Sequence, residues 1–160
     1  MKTIMKSTFL VLLSLSFVMS CTSNDDNDNP NNNDQQIAAI VTAVQSGTWR
    51  ISNFNDSGQN ETSDFNGYSF TFNVNGSLVA SNGTTTVNGT WSVTDDSNSN
   101  DDSSSDDDVD FNIFFSVPES SDFEDLNDDW DVVSSSSTRI ELIDISGGNG
   151  GTDRLTFEKN

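Results

Sequence analysis

The sequence predicts an all-β fold, an eight-stranded antiparallel up-and-down barrel led by one short helix, with a β-sandwich as the alternative. Short runs rich in Val, Ile, Thr and aromatics recur after residue 47, punctuated by Asn-Gly pairs and acidic stretches. Several runs alternate apolar and polar residues, which gives each strand one buried and one wet face, as antiparallel sheets show. Closing the sheet removes its edges, and eight strands enclose an interior that side chains fill or that holds one small ligand. Pairing of the first strand with the last separates the barrel from the sandwich.

The helix is expected over 35–45, where Ile37, Ile40, Val41 and Val44 fall on one face, with Asp34 as its N-cap and Gly47 as its stop. Strands are expected at 48–55, 68–74, 77–81, 87–94, 109–117, 130–135, 139–145 and 154–159. Tyr68, Phe70, Phe72 and Val74 share a face, as do Val87, Gly89, Trp91 and Val93, and Phe111, Ile113, Phe115 and Val117. Asn75-Gly76 is the clearest hairpin signal, since both residues tolerate the positive φ of a type I′ turn. Phe123 and Leu126, three residues apart in the acidic stretch 118–129, are expected to lie over one barrel end as a plug. Ser134 to Ser137 read as a wet strand and turn, and the glycine cluster 147–151 as a flexible hairpin loop.

Charge excludes whole classes of function. The chain has 26 acidic and 6 basic residues and no His. Such a surface repels polyanions, so no nucleic-acid partner is expected. Without imidazole there is no Ser-His or Cys-His nucleophile pair. The run from Asp95 to Asp110, in which eight of sixteen residues are Asp, lacks the glycine and terminal Glu of a calcium-binding helix-loop-helix site and reads as a solvated loop. With so many acids, finding two that suit glycosidase chemistry carries no information. No catalytic residue, metal site or cofactor is expected, and the protein reads as a non-enzyme and a monomer.

The N-terminus supplies an address. Lys2 and Lys6 precede an apolar stretch from Phe9 to Met19, the layout of a secretion signal over 1–20. Val18, Met19 and Ser20 before Cys21, the single cysteine, resemble a lipobox. That resemblance implies cleavage before Cys21 and attachment of a diacylglycerol to its sulfur, hence membrane anchoring without a spanning helix. Residues 21–34 contain a run, NDDNDNPNNND, with no apolar side chain, and read as a disordered tether. Asp25, Asp26 and Asp28 at its start resemble the export signal of Bacteroidetes-type surface lipoproteins, which implies the outer face of the outer membrane. Beyond residue 20 all 26 acids face four basic residues, Arg50, Arg139, Arg154 and Lys159, a net charge of −22.

The folded domain is expected over 35–160. Its helix leading into Gly47-Thr48-Trp49 resembles the GxW start of lipocalins, and Arg154 in the last strand matches the basic residue that packs across that Trp. The resemblance is to the lipocalin-like, calycin-type domains of small surface lipoproteins; it covers about Gly47 to Lys159, and the motif recurs as Gly89-Thr90-Trp91. It implies a small apolar or carbohydrate ligand. Tyr68, Phe70, Phe72, Trp91, Phe115 and Trp130 would then line the cavity. The same side chains, with Trp49, Phe111 and Phe157, have the volume to fill a small barrel, which makes a structural or adhesive surface protein the second expectation.

Overall fold

Alternation with a period of two drives the fold, since each strand can bury one face only if the sheet wraps round to cover it. The structure is a computed structural model that describes residues 32–95, 109–145 and 151–160. The signal segment, Cys21, most of the expected tether, most of the Asp run and all of the glycine cluster except Gly151 lie outside the described residues; residues 32–34, expected to end the tether, belong to the helix instead. The strands are β1 (Trp49–Asp56), β2 (Gln59–Asn60), β3 (Ser69–Phe72), β4 (Ser77–Ser81), β5 (Thr86–Asp95), β6 (Val109–Phe115), β7 (Asp128–Ser135), β8 (Arg139–Asp144) and β9 (Asp153–Lys159). All pairings are antiparallel between neighbours, and β1 pairs with both β3 and β9, so eight strands close into a barrel and the sandwich is excluded. β2 is a two-residue return that pairs with the end of β1.

The helix α1 (Asn32–Val44) lies across one end of the barrel. Its stripe is the expected one: Ile40 and Val44 are fully buried, and Ile37 and Val41 pack against the same core. The helix starts before the expected cap, so Asp34 sits inside the first turn. Asn33 docks that turn, its amide donating to Asp95 at 3.1 Å. After Val44 the chain turns through Gly47 at φ +97° into β1.

Two short 3₁₀ turns, Thr62–Phe65 and Glu124–Leu126, lie at the opposite end. They deliver Phe65, Phe123 and Leu126 into the core, and the expected plug is therefore present, with Phe65 as an unanticipated second piece. Phe65 came from a polar stretch to which no strand or helix pattern applies. The far half of β1 pairs with this excursion rather than with β3: Glu61 donates to the Phe54 carbonyl at 3.0 Å, and the Phe54 amide donates to Thr62 Oγ1 at 2.8 Å. β1 and β3 share only the register pair Trp49 and Phe70, and the Asn160 side chain spans them, bonding Thr48 and Ser69 at 3.1 Å each.

Each tryptophan indole donates to a carbonyl at a connection: Trp49 to Val44 at the end of α1 (2.9 Å), Trp130 to Leu126 (3.1 Å) and Trp91 to Asn73 (3.1 Å). A buried indole N–H left unmet costs more than the bond itself gains, so these bonds fix where helix, plug and turn attach.

Two local expectations are corrected. The turn between β3 and β4 is not type I′: Gly76 takes φ +80° while Asn75 stays at negative φ. Gly76 N–H donates to Asn73 O at 3.0 Å and Asn73 N–H to Ser77 O at 2.9 Å, a three-residue loop closed by a left-handed glycine. Val74 therefore sits at the tip, 85% exposed, instead of continuing the inward face of Phe70 and Phe72. Second, the basic side chain across Trp49 is Lys159 and not Arg154. Lys159 Nζ lies 5.8 Å from the Trp49 ring centroid and donates to Ser46 Oγ at 2.6 Å, whereas Arg154 is exposed on the outer face. Register decides this, since Trp49 pairs with Lys159 and Arg154 falls opposite Asn55.

Phe123→Ala should cost about 3 kcal/mol in urea unfolding, the range for losing a buried ring. Gly89→Ala should cost about 1–3 kcal/mol, because its new methyl would collide with the Phe114 carbonyl and sit 2.7 Å from the Phe115 ring. Equal midpoints for wild type and both variants would show that neither the plug nor this close approach carries stability.

Candidate functional site

The six side chains expected to line a cavity are brought together, and they meet ring to ring. Near α1, Phe72 stands edge-on to Trp91 (5.4 Å between centroids), Phe111 (5.5 Å) and Phe157 (5.5 Å). Near the plug, Phe123 is edge-on to Phe65 (5.4 Å), Tyr68 (5.0 Å) and Phe115 (5.1 Å). Phe70 joins the halves through Phe157 at 5.4 Å, and Trp130 meets Phe54 at 6.4 Å. These separations are those of favourable aromatic pairs, each adding roughly 0.5–1.5 kcal/mol beyond area burial. Phe70, Phe72, Trp91, Phe115 and Trp130 are buried and Tyr68 is half-buried. Phe54 and Phe65 join this core as well. Phe54 was legible in principle, as an aromatic in an expected strand, but the bulge between Ile51 and Asn53 shifts the alternation before it.

Clefts lie on the outer wall. One, of about 570 Å³, runs between β5, β6 and the start of β7, with Phe114 exposed beside Thr90, Ser92, Asn112 and Asp129. Another, of about 630 Å³, crosses β1, β9 and β8 and contains all three arginines of the chain. Strand register lays its outward side chains out in rows. Arg50, Glu158 and Arg139 form the first, Asn53, Thr156 and Glu141 the second, Asn55, Arg154 and Ile143 the third. Glu158 pairs with Arg50 and, at 2.7 Å, with Arg139; Arg139 also meets Glu141 at 2.7 Å, and Ser134 donates to Glu141 at 2.6 Å. The Ser134 bond and Arg139 hold the Glu141 carboxyl below the usual range.

Acids near the plug shift the other way. Burial, a hydrogen bond with Asp129 and the charge of Asp144 raise Asp128 to about 6, partly offset by its bond from the Asp129 amide. Burial and then the charges of Asp56, Asp64 and Asp122 raise Glu61 and Asp125 as well. Among the described residues no group of His, Cys, Asp and Glu is placed to hold a metal ion.

No protein-family model and no curated protein matches the chain. Among solved structures it is similar to a DUF4847 family protein from Bacteroides vulgatus at 18% identity and a TM-score of 0.43, with 73% of this chain and 94% of that one covered.

A carboxyl whose pKa is higher folded than unfolded stabilises the fold when protonated. The contribution of Asp128 is complete below about pH 4 and is lost as pH rises through about 6. Melting temperature should therefore rise as pH falls from 7 to 5, and Asp128→Asn should be more stable than wild type at pH 7 with a shallower pH slope. Parallel slopes for the two would remove Asp128 from this account.

Proposed function

We propose that this chain is a lipid-anchored surface protein whose lipocalin-like barrel is solid and which acts through its outer wall, without enzymatic activity. The observation that carries the reading is the packing of the interior: the aromatic side chains suited to a ligand cavity meet one another, with a helix over one end and Phe65, Phe123 and Leu126 over the other. A calyx for an apolar ligand needs an open mouth, and such pockets usually enclose at least about 300 Å³. The lipocalin likeness draws support from Trp49 of the GTW motif, which sits under a basic side chain of the last strand beside the helix. The anchor rests on Cys21 within Val18, Met19, Ser20 and Cys21, behind an apolar segment and ahead of an acidic tether. A strongly negative wall keeps such a domain soluble and separated from its neighbours at an outer-membrane surface.

Two measurements test it. Full-length protein purified from its host membranes should release no stoichiometric small apolar or neutral carbohydrate ligand in native mass spectrometry; one such ligand per chain would overturn the solid-barrel reading. Cys21→Ala should move the protein out of the membrane pellet and remove the lipid mass, and unchanged pelleting would overturn the anchor.

A further inference from the structure

We infer that the arginine cleft over β1, β9 and β8 binds a carboxylate-bearing small molecule, with Arg154 and Thr156 as its contacts. A sequence of net charge −20 spends basic residues sparingly, yet its three arginines, 104 residues apart at the extremes (Arg50 and Arg154), converge on one cleft of about 630 Å³. Arg50 and Arg139 are held by Glu158 and Glu141. Arg154 has no carboxylate partner among the described residues; the register sets Asn55 on one side of it and Ile143 on the other. Three arginines against two glutamates leave one positive charge in the cleft, matched by a single negative one.

Thr156 supplies the second, independent observation. It points outward between Arg154 and Glu158 along β9, and it is only 6% exposed because the long side chains around it form walls. Its hydroxyl has no hydrogen-bond partner among the described residues; Ser52 reaches its backbone carbonyl at 3.4 Å, not its side chain. No fully buried side-chain polar atom among the described residues goes without a partner, so this hydroxyl opens onto the cleft. A hydroxyl on a largely buried side chain, open only to the cleft and without a mate among the described residues, is placed to donate to a ligand that brings an acceptor.

The chemistry selects a carboxylate. Its two oxygens match the planar fork of one guanidinium, and the remaining lone pairs accept from a hydroxyl beside it. The ion-paired glutamates in the walls repel a dianion more than a monoanion, which disfavours sulfate and phosphate. Surrounding negative charge makes the cleft selective, since a ligand must present its carboxylate at this one place.

The test uses the ¹⁵N-labelled, lipidated full chain in a non-ionic detergent, titrated with glucuronate, glucose and inorganic sulfate at constant ionic strength. Glucuronate should give saturable shifts of the Arg154 Nε–Hε resonance and of the amides around Thr156, and glucose none. Arg154→Gln should weaken binding about tenfold or more, Arg154→Lys by less, and Thr156→Val several-fold, as expected when charge-assisted and hydroxyl hydrogen bonds are lost. Arg154 is exposed, so its variants should melt with wild type. Shifts that do not saturate, equal shifts with glucose, sulfate binding as tight as glucuronate, or affinity untouched by Arg154→Gln would each overturn the assignment. A hollow barrel with an internal ligand would leave this result unchanged, so the two proposals fail separately.

Discussion

Trp49 is where the sheet closes on itself, and the barrel depends on that closure. It is the one β1 residue in register with both neighbours, Lys159 of β9 and Phe70 of β3. Its ring is fully buried, its N–H holds the last turn of α1, and Lys159 lies across its outer side. Without this meeting point β1 would be an edge, and the aromatic face of the sheet would lack a far wall. Large rings suit the task because eight strands leave an interior that a few side chains fill, and edge-to-face contacts let rings from opposite walls interlock.

The inner and outer faces of the barrel are put to different uses. Inward positions are spent on mutual packing, while outward positions carry charge in an uneven pattern. Acids crowd the plug end, where burial and mutual repulsion raise the carboxyls of Asp128, Glu61 and Asp125. The arginines collect on the outer face of β1, β8 and β9, where Arg50 and Arg139 interleave with Glu158 and Glu141. A cross-strand ladder of this kind adds little when exposed, about 0–1 kcal/mol per pair. Its chief effect is to hold long side chains as walls round Thr156.

The strands were legible because most of their core faces alternate: 77–81 is recovered to the residue, and the other seven barrel strands differ by no more than two residues at either end. Helix and plug followed from spacing, Ile37 to Val44 in one case and Phe123 with Leu126 in the other. What escaped lies where alternation breaks. Phe65 enters the core from a polar turn, Phe54 lies beyond a bulge, and Val74 leaves the inner face because a left-handed Gly76 turns the chain first. Local composition reports the period of a strand but not a slipped register or the conformation of a loop.

The assignment of the basic residue over Trp49 shows the same limit. Arg154 and Lys159 both lie in the last strand; alternation puts Lys159 on the face of Leu155 and Phe157, but the resemblance pointed to Arg154, and register sets which residue lies level with Trp49. The sequence by itself determined the eight barrel strands, most of their inward faces, the leading helix and the excess of acid over base, since each follows from near neighbours in the chain. Only the tertiary structure decided that the inward rings meet edge to face, that Lys159 lies level with Trp49, and that three arginines from distant strands share one cleft. Those outcomes depend on register and closure, which are set by contacts between residues up to about a hundred positions apart.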